Sequence, residues 1–143
     1  MCAKSKKKKS VHYINPKEFK QLIIEYYETG VLSVELGEMV VKLSNGVGHA
    51  PNFINYSYRS EMIGDAVLKV VTALDKQNFD PEKGNPFSYF SRVAFNAMVN
   101  RIKVEKKQRN IVDLYREETY TSALCDQTNG NKTRQPHIPS EYE

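Results

Sequence analysis

The chain has few cysteines and no long apolar run, the features that define disulfide-rich and membrane proteins. Its two cysteines, Cys2 and Cys125, are far apart and form no CxxC spacing. We therefore expect reduced thiols in a cytosolic protein rather than a disulfide framework or a metal site. No apolar run approaches the roughly 20 residues that a membrane-spanning helix needs. Residues 1–9 are charged but precede no apolar segment, so we expect neither a secretory signal nor membrane association.

Patterns of catalysis and cofactor binding are also missing. His12, His49 and His137 are scattered, and none lies at a ligand spacing from cysteine or a paired carboxylate. The fragment Gly46-Val47-Gly48 follows no predicted strand, which argues against a nucleotide-binding loop. No nucleophile and base can be assembled into a catalytic pattern. We therefore predict a protein that is not an enzyme and uses no cofactor.

The composition favours one domain with an anionic partner. The chain has 143 residues, 40% of them hydrophobic, and a net charge of +4, which suits one core and attraction to a negative surface. Lysine-rich residues 1–10 are predicted to form a disordered basic tail, residues 11–115 the ordered domain, and residues 116–143 a flexible polar extension.

Apolar side chains recur with the period of an α-helix, and no segment alternates with the period of a strand. Asn15 and Pro16 supply an N-cap and a first-turn proline, while Gly30 supplies a stop signal. The predicted helices cover about residues 16–29, 33–46, 57–76 and from 86 to beyond 109. The fold class is all-α, a compact bundle of about four helices; where the fourth helix ends is left open.

The predicted core consists of the apolar side of each helix. Its members are Phe19, Leu22, Ile23 and Tyr26, then Leu36, Met39, Val40 and Leu43, then Met62, Ile63, Ala66, Val67, Val70, Val71 and Leu74, and finally Phe87, Phe90, Ala94, Ala97 and Met98.

A polar stripe follows the fourth predicted helix. Its members share one helical face: Arg92, Asn96, Asn100, Lys103 and Lys107. Arg101, Lys106 and Arg109 are predicted to flank this stripe. Amide and guanidinium groups can read base edges, and cations bind phosphates. The alternative is a solvated face kept polar for solubility. Glu105 is the only acid between Arg92 and Arg109, which favours the nucleic-acid hypothesis.

Aromatic side chains surround the loop before this helix. The core interpretation is favoured for Phe87 and Phe90 over a role in binding. Tyr89 lies off the predicted inner side, where it could stack on a displaced base, worth roughly 1–3 kcal/mol.

Two carboxylates stand one turn apart near the start of the third helix. Glu61 and Asp65 either compensate the positive end of the helix dipole or form an acidic patch for a basic partner protein.

These residues resemble conserved region 2 of bacterial sigma factors, and most closely the late-transcription sigma factors of T-even-type bacteriophages. The resemblance covers about residues 36–109 and is specific in the second half of that span. It is carried by Glu61-Met62-Ile63-Gly64-Asp65, Asn78-Phe79-Asp80-Pro81-Glu82-Lys83-Gly84, Asn85-Pro86-Phe87-Ser88-Tyr89 and Phe95-Asn96-Ala97-Met98-Val99-Asn100-Arg101-Ile102-Lys103-Val104-Glu105.

The resemblance, together with the polar stripe, implies two sets of functional residues. One set would bind the clamp helices of the host RNA polymerase β′ subunit, with the β subunit as a further candidate contact: Glu61, Gly64, Asp65 and Leu68. The other would bind promoter DNA and capture the non-template strand of a −10-type element: Tyr89, Phe90, Arg92, Val93, Asn96, Asn100, Arg101, Lys103, Lys106 and Lys107.

The chain also departs from the family. Primary sigma factors carry adjacent tryptophans where this chain has Val93-Ala94, and we expect no helix-turn-helix module for a −35 element. A phage sliding clamp and a co-activator are further candidate partners, although residues 137–143 only loosely resemble the clamp-binding motif of the phage relatives.

The expected function is therefore a promoter-specificity subunit for phage late genes in the cytoplasm of an infected bacterium. One alternative is a nonspecific helical nucleic-acid-binding protein, for which Glu61 and Asp65 would be dispensable. The other is a regulatory adaptor that occupies polymerase without opening DNA.

Overall fold

The described part of the chain is helical throughout its regular structure. The structure, a computed structural model, describes residues 14–128, with side chains to residue 125. Its elements are α1 (Pro16–Thr29), α2 (Val34–Gly48), α3 (Arg59–Asp75) and α4 (Pro86–Thr128). No strand occurs among residues 14–128, and the all-α prediction is confirmed. The predicted basic tail, residues 1–10, lies outside the described residues.

The described residues form two units, which are treated separately. The first comprises residues 14–101, with α1, α2, α3 and the beginning of α4, and the second comprises residues 102–128. Helix α4 continues without a break through residues 110–115, a point that the sequence left open. Residues 116–128 are helical rather than irregular, so the helix extends beyond the predicted end of the domain at residue 115.

Both ends of α1 and the start of α2 lie where local chemistry predicts. The Asn15 side chain accepts a hydrogen bond from the Lys17 N–H at 3.2 Å, and Pro16 occupies the first turn of α1. Gly30 closes α1 with φ 70° and donates its N–H to the Tyr26 carbonyl. Ser33 caps α2 by accepting from the Leu36 N–H at 3.2 Å. These three boundaries are confirmed, whereas α2 ends at Gly48, two residues beyond its predicted end at residue 46.

Helix α3 ends in a backbone motif that glycine normally favours. The Gln77 N–H donates to the Leu74 carbonyl at 3.0 Å, and the Asn78 N–H donates to the Ala73 carbonyl at 3.2 Å. This pair of bonds defines a Schellman motif. Gln77 has φ 49°, the left-handed conformation that the motif requires.

The core of the first unit is made by the inner sides of its helices. Phe19 of α1 meets Phe90 of α4 with ring centroids 5.8 Å apart in an edge-on arrangement, the geometry that aromatic pairs prefer. The largest fully buried side chains are Phe19, Ile23, Leu36, Val40, Ser44, Phe53, Met62, Val70, Leu74, Phe90 and Met98. Ile63, Val67 and Val71 are only half-buried, because they stand at the edges of the buried side of α3.

The loop between α3 and α4 is held by short-range bonds. Asp80 accepts from the Glu82 N–H at 3.0 Å and pairs with the Lys83 ammonium at 3.1 Å. Asn85 then caps α4 by accepting from the Phe87 N–H at 3.0 Å. Phe79 is buried and anchors this loop to the core, so the direction in which α4 departs is determined locally.

Candidate nucleic-acid interface

One side of α4 in the first unit is polar and open to solvent. Arg92, Asn96 and Asn100 are all exposed, and their spacing places them on one side of the helix. Tyr89, three residues before Arg92, lies at the start of the same side and is half-buried. We call Tyr89, Arg92, Asn96 and Asn100 the α4 face. The structure brings these four predicted residues together.

The remaining predicted lysines belong to the second unit. Lys103, Lys106 and Lys107 are exposed on the part of α4 that belongs to the second unit, which begins at residue 102. Flexible ammonium groups of this kind contact phosphates rather than base edges. Their predicted role would therefore add affinity without adding sequence preference.

The Tyr89 ring rests on an aromatic support. Its centroid lies 5.2 Å from that of Phe79 and 5.1 Å from that of Phe90. Phe79 and Phe90 also touch each other, at 5.5 Å. These two contacts hold one side of the Tyr89 ring, while part of its surface stays accessible. A ring that is already immobile loses little side-chain entropy when a base stacks on it.

The structure corrects two aromatic predictions. Phe90 is fully buried, which confirms its predicted place in the core and leaves it no surface for the DNA contact that the resemblance implies. Phe87 is 40% exposed, although it was predicted to lie in the core. It stands in the first turn of α4, ahead of the turn at which Phe19 covers Phe90. Val93 is half-buried beside the α4 face.

Arg101 does not flank the polar stripe. It follows Arg92 by nine residues, which is about two and a half helical turns, and so lies on the opposite side of α4. There its Nη1 atom is 3.3 Å from the Asp65 Oδ2 atom, and the two side chains are 30% and 38% exposed. The predicted position of Arg101 is wrong, and helical spacing alone contained the signal that would have placed it.

The predicted polymerase-binding residues lie along the outer part of α3. Glu61, Gly64 and Leu68 are exposed, and 67% of the Leu68 surface is accessible. Asp65 is half-buried because Arg101 covers it. Tyr58, the N-cap residue of α3, makes no side-chain capping bond. Compensation of the helix dipole by Glu61 therefore remains an alternative to partner binding.

Asp80 and Lys83 in the loop before α4 pair with each other. The Glu82 N–H and the Lys83 ammonium hold the pKa of the Asp80 carboxyl below its usual value. Because the ionised Asp80 pairs with Lys83, that cation is less available to an anion. Burial raises the pKa of Tyr27. The cations of α4 are therefore the better candidates for binding phosphate.

Comparison with known proteins does not assign a family. No protein-family model matches the chain, and no curated protein sequence matches it significantly. Within residues 14–128, no three His, Cys, Asp or Glu side chains are grouped so that they could hold a metal ion. Over the same range, none of the helices combines the length and the hydropathy needed to cross a membrane. The functions of the α4 face and of the outer part of α3 therefore follow from the chemistry of their own residues.

Proposed function

We propose that this protein is a promoter-specificity subunit of bacterial RNA polymerase, built like region 2 of sigma factors and used for phage late genes in the cytoplasm of the infected host. It has no catalytic activity of its own in this proposal. It binds host core polymerase through α3 and binds a −10-type element through α4. The observation that carries the proposal is that one side of α4 exposes Arg92, Asn96 and Asn100 while its other side is buried.

The chemistry of the α4 face suits promoter DNA. The guanidinium group of Arg92 can bind a phosphate or a guanine edge, and the amides of Asn96 and Asn100 can pair with adenine. A solvated face kept polar only for solubility would mix acids with bases more evenly. The α4 face contains no acid.

Opening of the duplex is assigned to Tyr89. Unstacking costs a few kcal/mol per base, and stacking on an aromatic ring returns roughly 1–3 kcal/mol. One supported tyrosine offsets only part of the cost of opening several base pairs. The polymerase must supply the rest, so unaided DNA binding is expected to be weak, with a log–log salt slope of about −3 to −5 if four to six phosphates are neutralised.

Polymerase docking is assigned to the outer side of α3. Leu68 is a large apolar side chain that the fold leaves exposed, and Glu61 lies two turns before it. An apolar anchor bordered by a carboxylate is complementary to a basic, amphipathic helix of a partner. The clamp helices of the β′ subunit are the proposed partner.

A second candidate function is nonspecific binding of nucleic acid. The observation in its favour is the ion pair between Asp65 and Arg101, because an acid already paired within the chain contributes less to partner binding. In that case Glu61 and Asp65 would be dispensable, and the α4 face would act alone.

Run-off transcription tests the leading proposal. Core polymerase and this protein are given a template that carries a TATAAATA-like element and no −35 element. We expect transcripts that require the element and that fall strongly for the double variant Arg92→Ala with Asn96→Ala. The matched control is Lys17→Ala with Gln21→Ala on α1, which also removes one cation and one amide from exposed positions and is expected to leave transcription unchanged.

Two results would separate the alternatives. Reversal of both Glu61 and Asp65 to Lys is expected to abolish retention of core polymerase while DNA affinity stays or rises. If polymerase is still retained, docking through α3 is wrong and nonspecific binding is favoured. If the protein binds polymerase but produces no element-dependent transcript, it is the regulatory adaptor instead.

A further inference from the structure

The ion pair between Asp65 and Arg101 links the two proposed binding helices. Asp65 belongs to α3 and Arg101 to α4, within the first unit, and the Arg101 Nη1 atom donates a hydrogen bond to the Asp65 Oδ2 atom. Neither side chain is fully buried or fully exposed. An acid from the docking helix therefore holds a cation from the DNA-binding helix.

We propose that this ion pair is an autoinhibitory contact, in which Asp65 withholds the Arg101 guanidinium from DNA phosphates until a cation of a partner protein takes its place on Asp65. The inference rests on the proposed function, since it takes α4 as the DNA-binding helix and α3 as the docking helix. It adds a mechanism by which docking increases DNA affinity.

The partial exposure of the pair is what makes exchange feasible. Breaking a deeply buried ion pair would leave an uncompensated charge at high cost, whereas a fully exposed pair contributes almost nothing and would withhold little. At 30% and 38% exposure, both side chains can reach solvent without unfolding of the core. A guanidinium fork binds a carboxylate and a phosphate with similar geometry, so Arg101 can exchange one for the other.

The position of Arg101 distinguishes it from the cation on the α4 face. Arg92 is exposed on the outward side of α4 and is available to DNA in the free protein. Arg101 immediately follows Asn100, the last residue of the α4 face, but its backbone position directs it towards α3. Release from Asp65 would allow this long side chain to extend around the helix and add one phosphate contact.

Thermodynamic linkage makes the effect reciprocal. If a basic partner surface on Asp65 raises the affinity for DNA by some factor, DNA raises the affinity for that partner by the same factor. The two helices would then act as coupled sites rather than as independent surfaces.

The test measures binding of the full-length free protein to a fluorescently labelled fork DNA that carries a TATAAATA-like element, by anisotropy over a range of salt concentrations. We expect Asp65→Asn to bind roughly three- to tenfold tighter at low salt, with a log–log salt slope steeper by about 0.9, which corresponds to one more phosphate contact. Asp65→Glu retains the acid and is expected to behave like the unaltered protein.

The matched control is Glu38→Gln on α2. It removes the same charge and also breaks an ion pair, since Glu38 lies 3.7 Å from Lys42. For Glu38→Gln, the gain in DNA affinity is expected to stay below about twofold, with an unchanged log–log salt slope, because only the net charge changes. In the Arg101→Gln background, the excess gain of Asp65→Asn over Glu38→Gln is expected to disappear. Circular dichroism of each variant verifies that it is folded.

Equal gains for Asp65→Asn and Glu38→Gln would overturn the inference, as would an excess gain that persists without Arg101. These results leave the proposed function standing if fork binding still depends on Arg92 and Asn96. If binding is indifferent to Arg92→Ala with Asn96→Ala, the α4 face is not a DNA-binding surface, and the inference fails with the proposed function.

Discussion

Gly48, the last residue of α2, lies so close to Ile63 of α3 that a Cβ atom at position 48 would come within 2.6 Å of the Ile63 Cγ1 atom and 3.5 Å of the Met98 Cε atom. Glycine is therefore required here by packing and not by a turn. Real Cβ atoms do not approach a neighbour this closely, so a side chain at position 48 would push α2 and α3 apart.

Gly48→Ala is expected to lower the free energy of unfolding by about 1–3 kcal/mol, because overpacking forces shifts of side chains or backbone. Gly46→Ala is the control, since nothing lies within 4 Å of the corresponding Cβ position. It should stabilise the helix by roughly 0.5–1 kcal/mol. Urea denaturation measures both. Equal effects of the two substitutions would show that α2 and α3 do not meet at Gly48.

Gln77→Gly is expected to stabilise the protein by about 1 kcal/mol, because Gln77 adopts φ 49° at the end of α3 and glycine takes this conformation without strain. Lys76→Gly is the neighbouring control. Lys76 has φ −77°, where glycine only adds entropy to the unfolded chain and should destabilise. The midpoints of thermal unfolding of the two variants should therefore shift in opposite directions.

Stability is expected to fall at alkaline pH in a way that depends on Tyr26. The Tyr26 hydroxyl donates a hydrogen bond to the Asp75 carboxylate, and this bond raises the pKa of Tyr26 above 10.0. A pKa that is higher in the folded state contributes stability below about pH 10, the unfolded value, and loses it as pH rises through the folded value.

Urea midpoints measured from pH 8 to above pH 10 should therefore decline less steeply for Tyr26→Phe than for the unaltered protein. Some decline should remain, because burial also raises the pKa of Tyr27. Tyr120→Phe, at a position that is 71% exposed, controls for the loss of a phenol. An identical decline in Tyr26→Phe and the unaltered protein would contradict the assigned hydrogen bond.

Tyr89→Ala is expected to weaken binding to single-stranded AT-rich DNA by roughly 1–3 kcal/mol, the value of one stacked base. Tyr89→Phe keeps the ring and should bind nearly as well as the unaltered protein. Fluorescence titration with the oligonucleotide measures the difference. If Phe and Ala at this position bind equally well, Tyr89 supports the core through Phe79 and has no stacking role.

Phe90→Ala is expected to cost about 3–5 kcal/mol of stability, because it would leave a cavity beneath Phe19 and Phe79. Phe87→Ala should cost less than about 1.5 kcal/mol, because much of that ring already contacts water. Chemical denaturation distinguishes them. A large cost at Phe87 together with a small one at Phe90 would show that Phe87, and not Phe90, belongs to the core.

Helix boundaries were predictable because they depend on neighbours in sequence. Asn15, Gly30 and Ser33 act through hydrogen bonds to residues two to four positions away. The start of α3 was predicted less well. It begins at Arg59 rather than near Ser57, and its N-cap residue, Tyr58, makes no side-chain capping bond, so the sequence carries no strong local signal there.

The candidate site was predictable only in part. The spacing of Arg92, Asn96 and Asn100 placed them on one side of a helix, and they are exposed together. Spacing does not reveal which other element covers the opposite side. The contact between Arg101 and Asp65 joins residues 36 positions apart, and no local pattern encodes such a pairing.

The sequence by itself determined that the described chain is helical, where α1, α2 and α4 begin, and that one stripe of α4 is cationic and rich in amides, because periodicity and capping act over a few residues. Tertiary structure decided that Phe87 is exposed, that Tyr89 rests on Phe79, and that Asp65 holds Arg101. These outcomes depend on which helical sides meet, and that is set by packing between residues distant in the chain.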